Sequence, residues 1–451
     1  MERKRRGRCG NRLGVLVITI AAFLIMLGFA MPLYVSAENG SQSGTGLVLD
    51  TSGEALMYYG HNWMTIGNNL YADQEHSPIA WRILENNQGT LTLLSDKALG
   101  IYEYNSLLSH GNWSQANICM YLNSNFMRLS FERPEQLMME KYGEAEVNDE
   151  ANNIVINLNQ NIVLPSHQEV SNDGWFSSDE ERQTESVLSS QPVDWWLRSP
   201  GFSSDNAAYV DSEGVLYPGG RQIDSPLYVR PLLKLDTSTV LFTSAAADVK
   251  SSAFEERSLV NVTEPAKEMK MTVVDDTQKL VVEEITEESN GSGQLEFPYA
   301  LATTGENNYV SCILTDQNDE VIYYGRLAKT EVISERQGTV IVPLNDVAEG
   351  IYSLKIFSEQ YNGDYNTDYA GSIHEYYVKV KNGTGQVSKY LDKVSAGNIV
   401  YYGHNWMKIN DDHYTDITHS PIAWKVVESN EDNITFLSDT GLGIQQYNSG
   451  I

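Results

Sequence analysis

Apolar and polar positions change period several times along the chain. From Leu13 through Ile25 to Val35 the residues are almost continuously apolar, interrupted by Pro32. Beyond that run the pattern shortens. Ile79–Leu84 and Thr90–Ser95 are apolar stretches separated by Asn86-Asn87-Gln88-Gly89, which predicts a β-hairpin. Ser114 offers an N-cap, and Ile118, Cys119, Leu122, Phe126 and Leu129 then recur at helical spacing. Pro134 predicts the start of a second short helix carrying Leu137, Met138 and Tyr142. Strand patterns return at Ile162–Leu164 and in the stretch from Trp195 to Leu235. There Ala207–Val210 and Gly214–Tyr217 flank a turn at Asp211-Ser212-Glu213. Strands, helices and strands again predict an α+β module over residues 53–236.

Helical signals vanish after residue 236. Lys270–Val274, Lys279–Glu284, Gln294–Leu301, Tyr309–Leu314, Val321–Gly325, Gly338–Leu344, Ile351–Phe357 and Ile373–Val380 read as short strands. That pattern predicts an all-β, immunoglobulin-like sandwich over residues 237–381. Glycine-containing residues 382–396 read as a flexible linker, as do residues 38–52.

The chain then repeats itself. Tyr58-Tyr59-Gly60-His61-Asn62-Trp63-Met64 returns as Tyr401-Tyr402-Gly403-His404-Asn405-Trp406-Met407, and His76-Ser77-Pro78-Ile79-Ala80-Trp81 as His419-Ser420-Pro421-Ile422-Ala423-Trp424. The offset is 343 without a gap, and about 28 of 49 positions are identical from Tyr58 to Ser106. Residues 397–451 therefore read as a second, incomplete α+β module. It lacks a counterpart of the helices and of Trp195–Leu235, so the chain is expected to be a fragment and residues 397–451 are not expected to form a stable domain.

The chemistry of the first module gathers around Trp195-Trp196-Leu197-Arg198-Ser199-Pro200-Gly201 and Val229-Arg230-Pro231-Leu232-Leu233. Adjacent tryptophans on an extended segment present large surface to both faces, so one ring faces the core and the other needs a second cover or a ligand. Trp196, Arg198 and Arg230 are read as structural. The two guanidiniums are expected to pin loops through carboxylates or backbone carbonyls, because buried unpaired charge is costly.

These motifs, with Pro78-Ile79-Ala80-Trp81 and the helical segment from Ser114 to Phe126, resemble an uncharacterised domain-of-unknown-function family of secreted Gram-positive bacterial proteins. The resemblance covers about residues 58–235 and again 401–451. Family members usually end in Gly-Val-Arg-Pro-Ala-Leu; here Tyr228-Val229-Arg230-Pro231-Leu232-Leu233 stands in its place. The family is similar in layout to C-type-lectin-like folds, including formylglycine-generating enzymes. Their activity is not implied, because those enzymes use a cysteine pair and this module has Cys119 alone.

Charge and cysteine content narrow the setting. Basic residues among Met1–Arg12, the apolar run and Val35-Ser36-Ala37 read as a signal peptide, residues 1–37, cleaved after Ala37; the rival is an uncleaved membrane anchor. Either places the rest outside the cytoplasm, secreted or on a bacterial cell surface. The net charge of −29 becomes about −34 without the leader, which argues against nucleic-acid partners. Cys119 and Cys312 lie in different predicted domains, so no disulfide framework is expected.

Several candidates for chemistry remain. Trp175, Phe176, Trp195 and Tyr217 could form an aromatic platform for sugars, although ordinary core and surface packing is the favoured reading. Asp364, Asn366, Asp368 and Glu375 match four positions of a calcium loop. The sixth position, where glycine is needed, is Tyr369, so a solvated turn is favoured. His61 and His76, repeated as His404 and His419, lack partners at ligand spacing and read as structural. No cofactor is expected. The leading expectation is an adhesin-like surface protein whose modules bind an extracellular glycan or a host or cell-surface protein. A non-binding spacer comes second, and a hydrolase built from carboxylates third.

Overall fold

A computed structural model describes residues 55–66, 70–87, 89–106, 112–149, 152–172, 174–256, 258–263, 266–275, 277–283, 293–301, 308–316, 319–330, 336–388, 399–410, 413–414, 421–429 and 434–442. The expected leader 1–37 and linker 38–52 lie outside them, as do residues 389–396 of the second linker. Among the described residues no helix is long and apolar enough to cross a membrane.

Two sheets build the first module. One contains β1 (Leu56–His61), β2 (Pro78–Asn87) and β3 (Thr90–Ser95). The other contains β4 (Gly100–Glu103), β5 (Trp195–Pro200), β6 (Asn206–Val210), β7 (Leu216–Gln222) and β8 (Pro226–Val229). β9 (Leu232–Asp236) returns the chain to the first sheet beside β3. The expected hairpin forms with β2 and β3 antiparallel, Ile83 opposite Leu93. Ile79, Trp81 and Ile83 alternate inward and are buried, the period-two signature of a half-covered strand. In the second sheet the order is β7, β6, β5, β8, β4, followed by two short strands, so among the described residues β7 is an edge.

The longest helix of this module among the described residues, 117–130, lies between β4 and β5 in sequence. Its Ile118, Cys119, Leu122 and Phe126 are buried, so the predicted stripe faces the core. The cap differs from expectation. Ser114 belongs to a preceding 3-10 turn, Trp113–Gln115, capped by Asn112. One turn of the helix, Leu122–Phe126, is π-wound, and the Asn123 side chain there accepts from the Asn161 and Ile162 N–H groups and donates to the Ile162 carbonyl. The second predicted helix spans only Arg133–Met138.

The β-half begins with β10 (Val240–Ala245) and a short helix, Val249–Glu256. β11 (Glu268–Val274), β12 (Tyr309–Thr315), β13 (Val321–Lys329), β14 (Gly350–Gln360) and β15 (Asp368–Lys381) follow. Three further strands, Leu280–Val282, Gln294–Leu301 and Gln337–Pro343, make a separate sheet. Phe297, Val340 and Val342 of that sheet pack on Cys312, Leu354, Ile356 and Val378 of the larger one.

These connections correct the expected fold class of an α+β module, an immunoglobulin-like sandwich and a truncated second α+β module. The structure is mostly β, 53% strand and 11% helix, with one helix of 14 residues, and it has no clear immunoglobulin-like layout. Residues 143–149 and 152–158, which lie between the helices and β5, pair as a hairpin that was not among the expected elements. All eight strands read after residue 236 form, but their partners differ from a closed sandwich. β11 pairs in parallel with β1 on one side and β15 on the other, with Met57 opposite Met269 and Val273 opposite Tyr369. One 13-stranded sheet thereby crosses the boundary expected at residue 236.

The described part of the expected linker, residues 382–388, contains a turn and a strand. Asn382 and Gly383 take positive φ values of 53° and 68°, a turn geometry in which Asn and Gly are favoured. Thr384–Ser388 then returns antiparallel along the end of β15.

Beyond it, the described residues from 399 to 442 belong to a unit separate from that of residues 39–389. Its described strands include β16 (Ile399–His404), β17 (Pro421–Ser429) and β18 (Ile434–Ser438), paired in that order.

Candidate ligand-binding face

β5 carries the tryptophan–arginine motif, and nearly all of it is buried. Trp195 and Trp196 are both fully covered. Trp196 donates its indole N–H to the Tyr102 carbonyl and meets the Tyr104 ring edge-on. The second cover expected for the other ring is supplied by protein: the Arg230 guanidinium lies 5.2 Å from the Trp195 ring centre.

The arginines solve their burial differently. Arg198 grips Glu169 through two parallel hydrogen bonds of 2.5 and 2.7 Å and donates to the Leu164 carbonyl. Burial works to raise the Glu169 carboxyl, but the adjacent Arg198 charge outweighs it and holds the pKa below the ordinary value. Tyr142 and the Ser166 N–H also donate to Glu169. Arg230 donates to the Ser95 and Asp96 carbonyls and lies over Trp195 and Phe176. Burial, reinforced by Arg82, lowers its pKa to about 9. Arg198 ties the Leu164–Glu169 segment to β5, Arg230 ties the end of β3 to the connection between β8 and β9, and both side chains are buried.

The four aromatic residues read as a platform do not assemble into one. Trp195 is buried, Phe176 is 4% exposed, and Trp175 packs on the core while donating to Glu85. Tyr217, at 41% exposure, is the member that faces solvent. It stacks on Tyr209 across the β6–β7 pair, with ring centres 4.9 Å apart and planes 6° from parallel. The Arg221 guanidinium sits 4.5 Å from the Tyr209 ring centre, and Asp194 holds it at 2.8 Å. Phe202, 74% exposed, lies against Gly219, where a β-carbon would come within 3.3 Å of its ring. The negative charge of Asp211 holds the Tyr217 phenol above its ordinary pKa, so it stays a neutral donor. An edge strand thus presents aromatic rings beside a guanidinium and carboxylates. Tyr209, Arg221 and Phe202 were not singled out from sequence; the available signal was Gly219-Gly220, which admits the close approach of Phe202 and a positive φ of 79° at Gly220.

A second aromatic group involves the repeated motif. His76 stacks on Trp63 at 3.5 Å and 7°, and Tyr71 meets both rings edge-on. His61 bonds to Asn366 at 2.8 Å. Each histidine thus has a structural contact. Each calcium candidate is bonded to protein: Asp368 is gripped by lysines, Glu375 accepts from Ser353, Asp364 from Tyr361, and Asn366 donates within its own turn. Among the described residues no group of three or more His, Cys, Asp or Glu is placed to hold a metal ion.

Cys119 is buried, and burial pushes its thiol up to about 12, the opposite of nucleophile activation. Glu135 is a carboxyl that burial raises to about 7, but it is 2% exposed and accepts from the Gly60 and Glu132 N–H groups. It caps a helix and does not line a cleft.

Residues 88–237 match a protein family described as a domain of unknown function, DUF6273. The matched stretch runs from the β2–β3 turn to the end of β9 and so contains both arginine motifs and the Tyr209–Tyr217 stack. No curated protein and no solved structure matches the chain significantly.

Proposed function

We propose that the chain is a secreted or cell-surface binding protein and that the β6–β7 edge of the first module takes an extracellular glycan. The observation that carries this reading is the exposed Tyr217 stacked on Tyr209, with Arg221 and Asp194 alongside. A flat ring pair gains from the apolar face of a sugar, while the guanidinium, carboxylate and phenol meet its hydroxyls. Pre-stacking also limits the side-chain entropy lost on binding.

A glycan array probed with the full chain tests the ligand class. Reproducible binding that Tyr217→Ala weakens at least tenfold, without a change in melting temperature, is expected. Binding that Tyr217→Ala leaves intact moves the site elsewhere; silence across the array, with capture of a protein ligand at this edge, replaces glycan by protein. The non-binding spacer is favoured by a different observation, the sheet continuous from β1 into β11 and β15. Secretion has its own test: N-terminal sequencing of exported protein should begin at Glu38.

A further inference from the structure

The β-half encloses four charged side chains with no exposure beyond 1%. They are Lys250 on the Val249–Glu256 helix, Lys270 on β11, Glu359 near the end of β14 and Asp368 at the start of β15. The Lys250 Nζ lies 2.5 Å from Glu359 Oε1 and 2.5 Å from Asp368 Oδ2, and it also donates to Thr272. The Lys270 Nζ lies 2.8 Å from the same Asp368 oxygen and 2.7 Å from the Gly363 carbonyl. The other Asp368 oxygen accepts from the Asn362 N–H at 2.9 Å. Tyr324 donates to Glu359 Oε2 at 2.6 Å, and Ser311 donates to the same oxygen. The Tyr361 ring lies near both ammonium groups, and Phe242 and Tyr324 lie near that of Lys250.

As ion pairs alone these groups are an expensive way to hold four elements together, since desolvating charges offsets much of their attraction. The arrangement has a second chemical property. It holds the Lys250 nitrogen in contact with the Asp368 carboxyl group, with the Glu359 carboxylate on the same nitrogen and all three side chains buried. We propose that Lys250 and Asp368 condense to an intramolecular amide, with Glu359 as the proton-transfer group and Lys270 polarising the reacting carboxyl.

Glu359 relays one proton from the Lys250 ammonium to Asp368, giving a neutral amine and a neutral carboxylic acid, the pair that reacts. The amine lone pair attacks Asp368 Cγ, forming the C–N bond. The developing negative charge on Oδ2 is met by the Lys270 ammonium. Glu359 takes a second proton from nitrogen and delivers it to the departing oxygen, so the C–O bond breaks and one water leaves. No oxidant or activated co-reactant is needed. Fixed geometry stands in for activation, as effective molarities of about 10⁵–10⁸ M in oriented intramolecular reactions illustrate. After reaction Lys270 and Glu359 still balance one positive with one negative charge.

Lys250 is the nucleophile because it touches both carboxylates, whereas Lys270 is bonded to Asp368 and a carbonyl. Burial raises and lowers nothing alone here: it opposes the charge of Lys250, but Asp368 and Glu359 outweigh it and raise that pKa, while for Lys270 burial prevails and lowers it. The amine therefore starts as an ammonium, and the relay through Glu359 is the step that matters.

The test is the intact mass of the full chain, purified and denatured, followed by sequencing of its protease fragments. The expected mass is lower than that of the sequence by one water, and one branched fragment joins the Lys250 and Asp368 peptides. Glu359→Gln keeps the volume but cannot relay the proton; it should show the uncondensed mass. Lys250→Arg should do the same. A wild-type chain of full mass, folded by circular dichroism, overturns the proposal. A branch at Lys270 or at Glu359 overturns the assignment of nucleophile and acceptor. Because the wild-type mass is decisive by itself, failure of a variant to fold leaves the outcome unaffected.

Discussion

The two copies of the repeated segment form the same local structure and cover it differently. In the first, Met57 faces Trp81, Tyr58 faces Ala80 and His61 faces Pro78; in the second, Val400 faces Trp424, Tyr401 faces Ala423 and His404 faces Pro421. The hairpins agree equally, Ile83 opposite Leu93 and Val426 opposite Phe436, with an irregularity after each pair. Even the side-chain lock recurs. Asn62 donates to the Leu99 carbonyl and accepts from Met64; Asn405 donates to the Leu442 carbonyl and accepts from Met407. Burial is where they part. β1 and β3 are each flanked, by β11 and β9, whereas among the described residues β16 and β18 have no further strand beside them. Ile79, Leu93 and Leu94 are buried, while Ile422, Phe436 and Leu437 are half-buried. Register is thus a local property of the repeated residues, and burial is conferred by segments far away in the chain.

The sharpest way to break that comparison is to remove the same ring from each copy. Trp81 is fully buried and donates to the Tyr59 carbonyl; Trp424 is 8% exposed within a three-stranded sheet. Trp81→Ala should cost about 3–5 kcal/mol of the main unfolding transition. Trp424→Ala should leave that transition within about 0.5 kcal/mol of wild type. Calorimetry of both variants decides, and equal losses would mean that the second copy is integral to the main cooperative unit.

Next come the arginines that tie down the cover of the first copy. Arg198→Lys keeps the charge but loses the paired grip on Glu169, and Arg230→Lys loses a fork spread over two carbonyls and two rings. Each should lose about 1–3 kcal/mol by denaturant unfolding. Unchanged melting with loss of ligand would make them site residues instead.

Glu135 gives the cover a pH signature. It accepts from Gly60 in β1, and its folded pKa near 7 lies above the ordinary value of 4.5. Between those values the folded state holds a proton that the unfolded chain has released. Its contribution is therefore complete below pH 4.5 and is lost as pH rises through 7. Glu135→Gln should flatten this slope by about 1–3 kcal/mol across the window. Urea midpoints at several pH values measure it, and an unchanged slope would show that the carboxyl is ionised in the fold.

What was legible in the sequence follows the same division. The β2–β3 hairpin, the β6–β7 hairpin, the 117–130 helix stripe and the strands after residue 236 are each set by neighbouring residues, and each formed. The fold class was misread because sheet partners are chosen at long range: nothing in Glu268–Val274 announces a parallel pairing with Leu56–Tyr58. The aromatic platform failed for a related reason. Trp195 and Phe176 are as apolar as any surface ring, and their cover, Arg230, lies more than thirty residues away from the nearer of them. The lysine–carboxylate cluster left no trace in spacing. Lys250 and Asp368 are 118 positions apart, and Asp368 was legible as a calcium-loop residue instead.

Hydrogen exchange offers the finest reading of the two copies, because it perturbs neither. Amide protection in a sheet depends on how often its hydrogen bonds open, and a three-stranded sheet can open without unfolding the larger one. The β2–β3 amides sit under the core that holds Trp81, Phe126 and Phe131, so they should exchange only with global unfolding. Those of β17 and β18 are bonded in the same register but have half-buried Ile422 and Phe436 and exposed Val427 on their surface. A small unit without a disulfide is marginal by itself. Exchange across Ile422–Leu437 should therefore be complete while Ile79–Leu94 remains protected. Equal protection in the two segments would mean that the repeated residues carry enough stability by themselves, and that burial by distant segments is not what separates the copies.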